Sequence, residues 1–407
     1  MHHRLSLLCV IVALAACTSG SGGGGRVTGA AGTTGAAGDG ASGGAGATGV
    51  AGTGAAAGTT GASGSGGTTG AAGSGATTGA GGAGGFDGGA AGTGAATDGA
   101  ASDGSATGAA AAMGHQDDPG TTGDGMFALP GPYALTDEST MHLDGAPTGQ
   151  LLGPFLHAQT GTYTGWSTWK FTYWVYVPAQ YKPGHHAALA VFQDGSLYVG
   201  DPKLSDARFN APTVFDNLIA SGAMPVTIGV FIDPGSSDGH HVGGGDGGRS
   251  KQYDTPNDQY GKFLIQEFLP AEILGKYDIV TDADGWAIGG HSSGGIAAFS
   301  VSWFYPDKFR KVITASPSFS NTGGTFPAKI LTTTPAKPMR FYHMAGSNDL
   351  CCPSWFDQNN TAAKDLMQMG YHYRYRPGTG MHFPPDEAAQ DFPDALRWLW
   401  RGYHAPL

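Results

Sequence analysis

Residues 290–294 read Gly290-His291-Ser292-Ser293-Gly294, a serine set between two glycines at the spacing of a hydroxyl displayed on a sharp turn. A short apolar run from Trp286 to Ile288 precedes it and reads as a buried strand. Gly295 and small or apolar residues follow and can open a helix. The turn has to push Ser292 Oγ clear of the sheet, so its neighbours must lack bulk. A helix starting there would aim its N-terminal N–H groups and positive dipole end at the same point. The chemistry this predicts is nucleophilic attack by Ser292.

A serine hydroxyl is a weak nucleophile until a base takes its proton, and the base needs a third group to hold its ring and stabilise its charge. After a strand-turn-helix serine the chain order is serine, acid, histidine. Four histidines follow Ser292. His343 and His372 fall inside expected strands, and His404 lies in the tail. His382 sits in Gly378-Thr379-Gly380-Met381-His382, a loop just after the last expected strand, which makes it the expected base. Asp349 is the expected acid, in Gly346-Ser347-Asn348-Asp349 just past an expected strand at 339–345. Asp307, Asp365, Asp386 and Asp394 read as helix-end, helix or loop residues.

A developing oxyanion needs two preorganised N–H donors. Ser293 N–H is one. The second is expected from the loop after the strand at 187–192, where Gly195 or Ser196 fits by position, with Gln193 and Asp194 shaping the turn. On the substrate side the expected residues are Asp194, Arg249 and His291. Arg249 closes a Gly-rich loop and could meet an anionic or hydroxylated group.

These residues must be carried by an α/β framework. Phe171 to Val177, Ala187 to Phe192, Pro225 to Ile232, Lys311 to Ala315, Met339 to Ala345 and Tyr371 to Tyr375 read as strands. Ala211 to Ser221, Asp258 to Leu274, Ala362 to Met369 and Pro393 to Arg401 read as helices. Apolar strands alternating with helices predict a mainly parallel sheet covered on both faces. Loops after the strand ends then carry the chemistry.

The 407 residues include 72 glycines, concentrated in residues 18–125 with Ala, Thr and Ser. That stretch is expected to be a disordered tether, with a root-mean-square reach of roughly 50–60 Å as a flexible coil. Residues 126–407 read as one globular domain. The formal net charge is −11. The tether and leader hold two arginines and seven aspartates, which leaves a mildly acidic domain and no basic stripe for nucleic acid. Ahead of the tether, Met1 to Arg4 is a basic start and Leu5 to Ala16 an apolar run too short to span a bilayer. It ends Leu14-Ala15-Ala16-Cys17, which resembles the bacterial lipobox. By that resemblance residues 1–17 end in a lipid-bearing Cys17, the membrane is a partner, and Thr18 in place of aspartate points to the outer membrane or cell surface. Cys351 and Cys352 are adjacent, so a vicinal disulfide and a reduced pair are both open. No metal is expected: His185-His186 and His240-His241 have no carboxylate or thiol at ligand spacing.

Trp174-Val175-Tyr176-Val177-Pro178, Val191-Phe192-Gln193-Asp194-Gly195, Phe231-Ile232-Asp233-Pro234-Gly235, Arg249 with Tyr253-Asp254, Gly290-His291-Ser292-Ser293-Gly294-Gly295, Gly346-Ser347-Asn348-Asp349, Gly380-Met381-His382 and Asp394 to Trp400 together resemble the esterase family that includes enterochelin esterases and some feruloyl and acetylxylan esterases. The likeness covers roughly residues 145–403. It implies an α/β-hydrolase fold, a Ser292–Asp349–His382 triad and no cofactor. Two departures stand out: Gln252 where relatives usually place a glutamate, and Cys351-Cys352 directly after the acid. The function expected is that of an extracytoplasmic serine esterase acting on an aryl or carbohydrate ester. The same triad could instead pass the acyl group to a sugar or lipid, or the fold could bind without turnover.

Overall fold

In the computed structural model, residues 112–117, 121–200, 209–237, 248–323, 325–349 and 354–406 are described. The expected leader with Cys17, most of the expected tether, His240-His241 and Cys351-Cys352 lie outside them.

Apolar runs become the strands that carry the site. Ala188–Gln193 (β7) and Thr227–Ile232 (β8) are buried at every position, and so are Trp286–His291 (β9), Lys311–Ala315 (β10) and Arg340–Gly346 (β11). Burial on both sides needs cover on both faces, which parallel strands obtain from crossover helices. The remaining strands, in chain order, are His115–Gln116 (β1), Gly125–Met126 (β2), Gln150–Ala158 (β3), Thr162–Tyr163 (β4), Trp166–Ser167 (β5), Lys170–Val177 (β6), His372–Gly378 (β12) and Tyr403–His404 (β13).

Nine strands form the main sheet in the order β2-β12-β11-β10-β9-β7-β8-β6-β3. From β2 to β8 every pair is parallel, and β6 and β3 join antiparallel at the far edge. Strand order reverses beside β7, because β8 lies on one side of it and β9 on the other. This is the α/β-hydrolase topology, and such a switch point opens a crevice at the carboxyl ends of the strands. Helices cover both faces. One layer holds Ser293–Phe304 (α3), Trp355–Gln368 (α4) and the helical run that starts at Gln259–Phe263, packed around Phe171, Phe263 and Phe268. The other holds Ala211–Ala220 (α1) and Asp386–Trp400 (α5), around Phe192, Phe215 and Phe392. A short helix, Gly248–Tyr253 (α2), lies against α3.

The folded part starts ahead of the expected residue 126. β1 pairs antiparallel with β13, Gly114 N–H donates to Asp282 Oδ2 at 2.8 Å, and buried Lys311 donates to Gln116 Oε1 at 2.7 Å. These contacts gather where β9 and β10 begin. β2 adds a strand beside β12. Polar, glycine-rich residues can join a fold when their backbone groups find partners, a signal that side-chain composition does not carry.

Candidate active site

Ser292 occupies the turn between β9 and α3 with φ 60° and ψ −125°. A non-glycine residue at positive φ costs about 1–3 kcal/mol and needs surrounding structure to hold it. The brace is local. Ser292 N–H donates to Ala315 O at 2.9 Å, and Ser292 O accepts from Gly295 N–H at 3.0 Å and Ser318 N–H at 3.1 Å. A Cβ on Gly290 would stand 2.2 Å from Gly294 O, so only glycine lets the strand and the helix approach this closely.

Three strand ends bring three side chains together. His382 Nε2 lies 2.9 Å from Ser292 Oγ, and His382 Nδ1 lies 2.8 Å from Asp349 Oδ2. An ionised carboxylate only accepts, so Nδ1 carries the proton and Nε2 is left to accept from the serine hydroxyl. The Asp349 side chain is 1% exposed and that of His382 8%, so water competes weakly for these hydrogen bonds. Ser316, just past β10, also donates to Asp349 Oδ2, at 2.6 Å, from a backbone held at φ 43°. Trp355 Nε1–H donates to Ser316 O at 3.1 Å, and its ring meets the His382 ring edge-on at 5.2 Å. Ser316→Ala should lower kcat for an aryl ester roughly tenfold with KM little changed, because a hydrogen bond to a charged group is worth about 1.5–3 kcal/mol. Steady-state kinetics on p-nitrophenyl acetate check it.

Residues 167–368 match the family model described as Putative esterase. The match spans nearly half of the chain. Ser292 and Asp349 fall inside the matched segment and His382 beyond it. Among solved structures, the enterobactin esterase of Shigella flexneri is 18% identical with a TM-score of 0.47, over 63% of this chain and 60% of that one. The chain thus spans less than two thirds of that protein's length. A ferulic acid esterase from Anaeromyces mucronatus is 14% identical with a TM-score of 0.49, over 65% of this chain and 96% of that one. Another ferulic acid esterase is 19% identical with a TM-score of 0.46, over 62% and 99%. No curated protein matches.

The surroundings of the other expected site residues follow from their partners. As the first residue of α3, Ser293 has no preceding turn to receive its N–H, while its hydroxyl donates to Asp254 Oδ2 at 3.1 Å. The expected second oxyanion donors are already engaged: Gly195 N–H donates to Ile232 O at 3.1 Å and Ser196 N–H to Asp233 Oδ1 at 2.9 Å. Ser196 Oγ donates to the same carboxylate oxygen at 2.9 Å. A carboxylate at the end of β8 thereby captures the loop, and the sequence had shown only that the loop lay at the right height.

Asp194 and Arg249 hold each other. Arg249 Nε and Nη2 form a two-pronged pair with Asp194 at 2.7 and 2.6 Å, and Nη2 reaches His291 O at 3.4 Å. A Cβ on Gly294 would stand 2.4 Å from Asp194 Oδ2, so this pair abuts the turn that holds Ser292. His291 lies beside His382, its ring 4.6 Å from that of His382 and 5.0 Å from Phe383. Burial holds it well below the usual imidazole pKa, so it is neutral. Gln252 uses both ends of its amide: Nε2 donates to Gly235 O and Gly248 O, each at 2.9 Å, and Oε1 accepts from Gly235 N–H at 3.0 Å. An ionised glutamate could not donate those two bonds.

Sequence reading missed Ser316 and gave Asp254 no task. Asp254 accepts from Ser293 Oγ, from Ser318 Oγ at 2.8 Å and from Asn321 Nδ2 at 3.3 Å, and so fastens the start of α3 to the loop after β10. The serine-rich run Ser316-Pro317-Ser318 just past a buried strand was the available signal. Trp166 is core, stacked on Tyr163 at 4.5 Å. His343 is a sheet histidine bonded to Thr314 Oγ1 at 2.7 Å, and burial pulls its pKa down to about 3.

Proposed function

We propose that the chain is a serine esterase in which Ser292 attacks the ester carbonyl and His382 takes the hydroxyl proton. His382 then returns that proton to the departing alcohol. Asp349 holds the imidazole ring, and Ser293 N–H receives charge from the developing oxyanion. Water, deprotonated by His382, attacks the resulting acyl-enzyme, releases the acid and restores Ser292. The mechanism calls on no cofactor. The observation that carries this reading is the unbroken hydrogen-bonded series from Ser292 Oγ through His382 to Asp349, with bonds of 2.9 and 2.8 Å.

We further propose that the enzyme works outside the cytoplasm, held to a membrane by a lipid on Cys17, with a low-complexity spacer ahead of the folded part. Leu14-Ala15-Ala16-Cys17 after an apolar run supports this. An enzyme so placed would meet aryl or carbohydrate esters. One experiment tests the chemistry. A fluorophosphonate incubated with the purified protein should add one label, carried by the proteolytic peptide containing Ser292. Labelling at another residue, or none on folded protein, overturns the serine mechanism. An ester panel with and without glycerol as acceptor then separates hydrolysis, which releases free acid in both arms, from acyl transfer.

A further inference from the structure

Glu387, the second residue of α5, stands outside the series from Ser292 to Asp349. Its carboxyl is nonetheless buried between the two loops that bear the acid and the base. Three glycines make the room. A Cβ on Gly378 would lie 2.4 Å from Glu387 Oε1, one on Gly380 2.4 Å from Oε2, and one on Gly346 2.9 Å from Oε2. Gly346 and Gly378 are register partners at the ends of β11 and β12. Gly380 N–H, two residues before His382, donates to Glu387 Oε2.

The same two loops are laced directly. Ser347 N–H donates to Gly378 O at 3.0 Å, and Asn348 Nδ2 donates to Thr379 O at 2.8 Å. Burying a carboxyl is unfavourable unless its oxygens find donors, and Glu387 Oε1 has no hydrogen-bond partner. The nearby Arg376 guanidinium bonds Asp391, at 3.2 Å, and its charge offsets the burial of Glu387 only in part. Burial raises the carboxyl to about 7, against Gly380 N–H and Tyr133, which lower it, and with the like charge of Asp391 adding to the rise. An apolar side chain of similar volume would fill the space at less cost. What a carboxyl adds is an acceptor aimed at Gly380 N–H.

We propose that Glu387 is a positioning residue that sets the His382 loop against the Asp349 loop by bonding Gly380 N–H from within the cradle of Gly346, Gly378 and Gly380. The proposal rests on the triad reading above. A misplacement of the base by a fraction of an ångström to 1 Å should cost roughly tenfold to a hundredfold in turnover without weakening ground-state binding.

The test uses the full chain, p-nitrophenyl acetate and a fluorophosphonate. Glu387→Ala should lower kcat and the labelling rate by roughly thirtyfold with KM within about twofold of wild type. Glu387→Gln, whose amide oxygen still accepts from Gly380 N–H, should stay within about threefold of wild type. Exchange of the Gly380 amide hydrogen should accelerate in the alanine variant and not in the glutamine variant. If Glu387→Ala does not fold, Glu387→Asp, one methylene too short to reach, should show the same loss of kcat. Wild-type turnover in the alanine or aspartate variant, or an equal loss in the glutamine variant, overturns the proposal. Ser292→Ala runs alongside. An active Ser292→Ala overturns the triad reading and this proposal with it, whereas an inert Ser292→Ala beside a fully active Glu387→Ala overturns this proposal alone.

Discussion

Asp349→Asn should lower kcat for an activated aryl ester about 10⁴-fold and leave the fold in place. The reason lies in the direction of two hydrogen bonds. Asp349 Oδ2 accepts from His382 Nδ1 at 2.8 Å and from Ser316 Oγ at 2.6 Å. Asparagine keeps the shape and supplies only one oxygen. If the oxygen takes the place of Oδ1, the amide N–H₂ faces both Ser316 Oγ and His382 Nδ1 and forces Nδ1 to accept. The ring proton then moves to Nε2, where it points at Ser292 Oγ and cannot take the serine proton. If the oxygen takes the place of Oδ2 instead, both bonds persist, but the imidazolium formed in the transition state loses its counter-charge. Circular dichroism and the thermal midpoint should match wild type while kcat collapses. A loss smaller than about tenfold would mean that another carboxylate supports the base.

Arg249→Ala should destabilise the protein by about 3–5 kcal/mol, measured by urea denaturation. The guanidinium meets Asp194 through two short bonds, and the side chains are only 18% and 9% exposed. Removing one partner leaves a buried carboxylate with two donors gone. Asp194 cannot turn away, since its backbone is fixed at φ 56° and its oxygen abuts Gly294. The double variant Asp194→Asn with Arg249→Met should recover most of the loss, because asparagine tolerates that backbone and buries no charge. Turnover should fall in the single variant as well, since the strained carboxylate presses on the turn that presents Ser292. A loss below about 1 kcal/mol would show that water enters and solvates Asp194.

The residues at the centre of the site could be read from the chain because backbone geometry demands them. A turn tight enough to present Ser292 excludes side chains at Gly290 and Gly294, and a base and an acid have to follow at later strand ends. The supporting residues could not be read so directly. Glu387 means nothing until β11 and β12 bring Gly346 and Gly378 alongside it, and Ser316 looks like any turn serine until Asp349 arrives from 33 residues away. Asp194 and Arg249 were read as facing substrate because a free charge in a loop suggests a ligand. Their pairing is a tertiary contact across 55 residues.

Element edges followed the same logic. β3 escaped notice because it is an edge strand with most side chains exposed, interrupted by Gly153-Pro154. α5 was expected to start at Pro393, since proline suits the first turn of a helix. It begins at Asp386 and carries Pro393 in its interior, held by an apolar face packed on the sheet. The expected helix from Asp258 to Leu274 forms as Gln259–Phe263 continued by two wider turns, Leu264–Phe268 and Pro270–Leu274.

The docking of His115–Gln116 against Tyr403–His404 gives the molecule a blunt end and a working end. Those contacts lie where β9 and β10 begin, and Ser292 lies where β9 finishes. Six extended residues separate the two, roughly 20 Å of sheet. A bead, a fusion partner or a bilayer coupled through the residues ahead of 112 therefore pulls on the blunt end. Ser292 sits at the opposite end of β9 from that point of attachment.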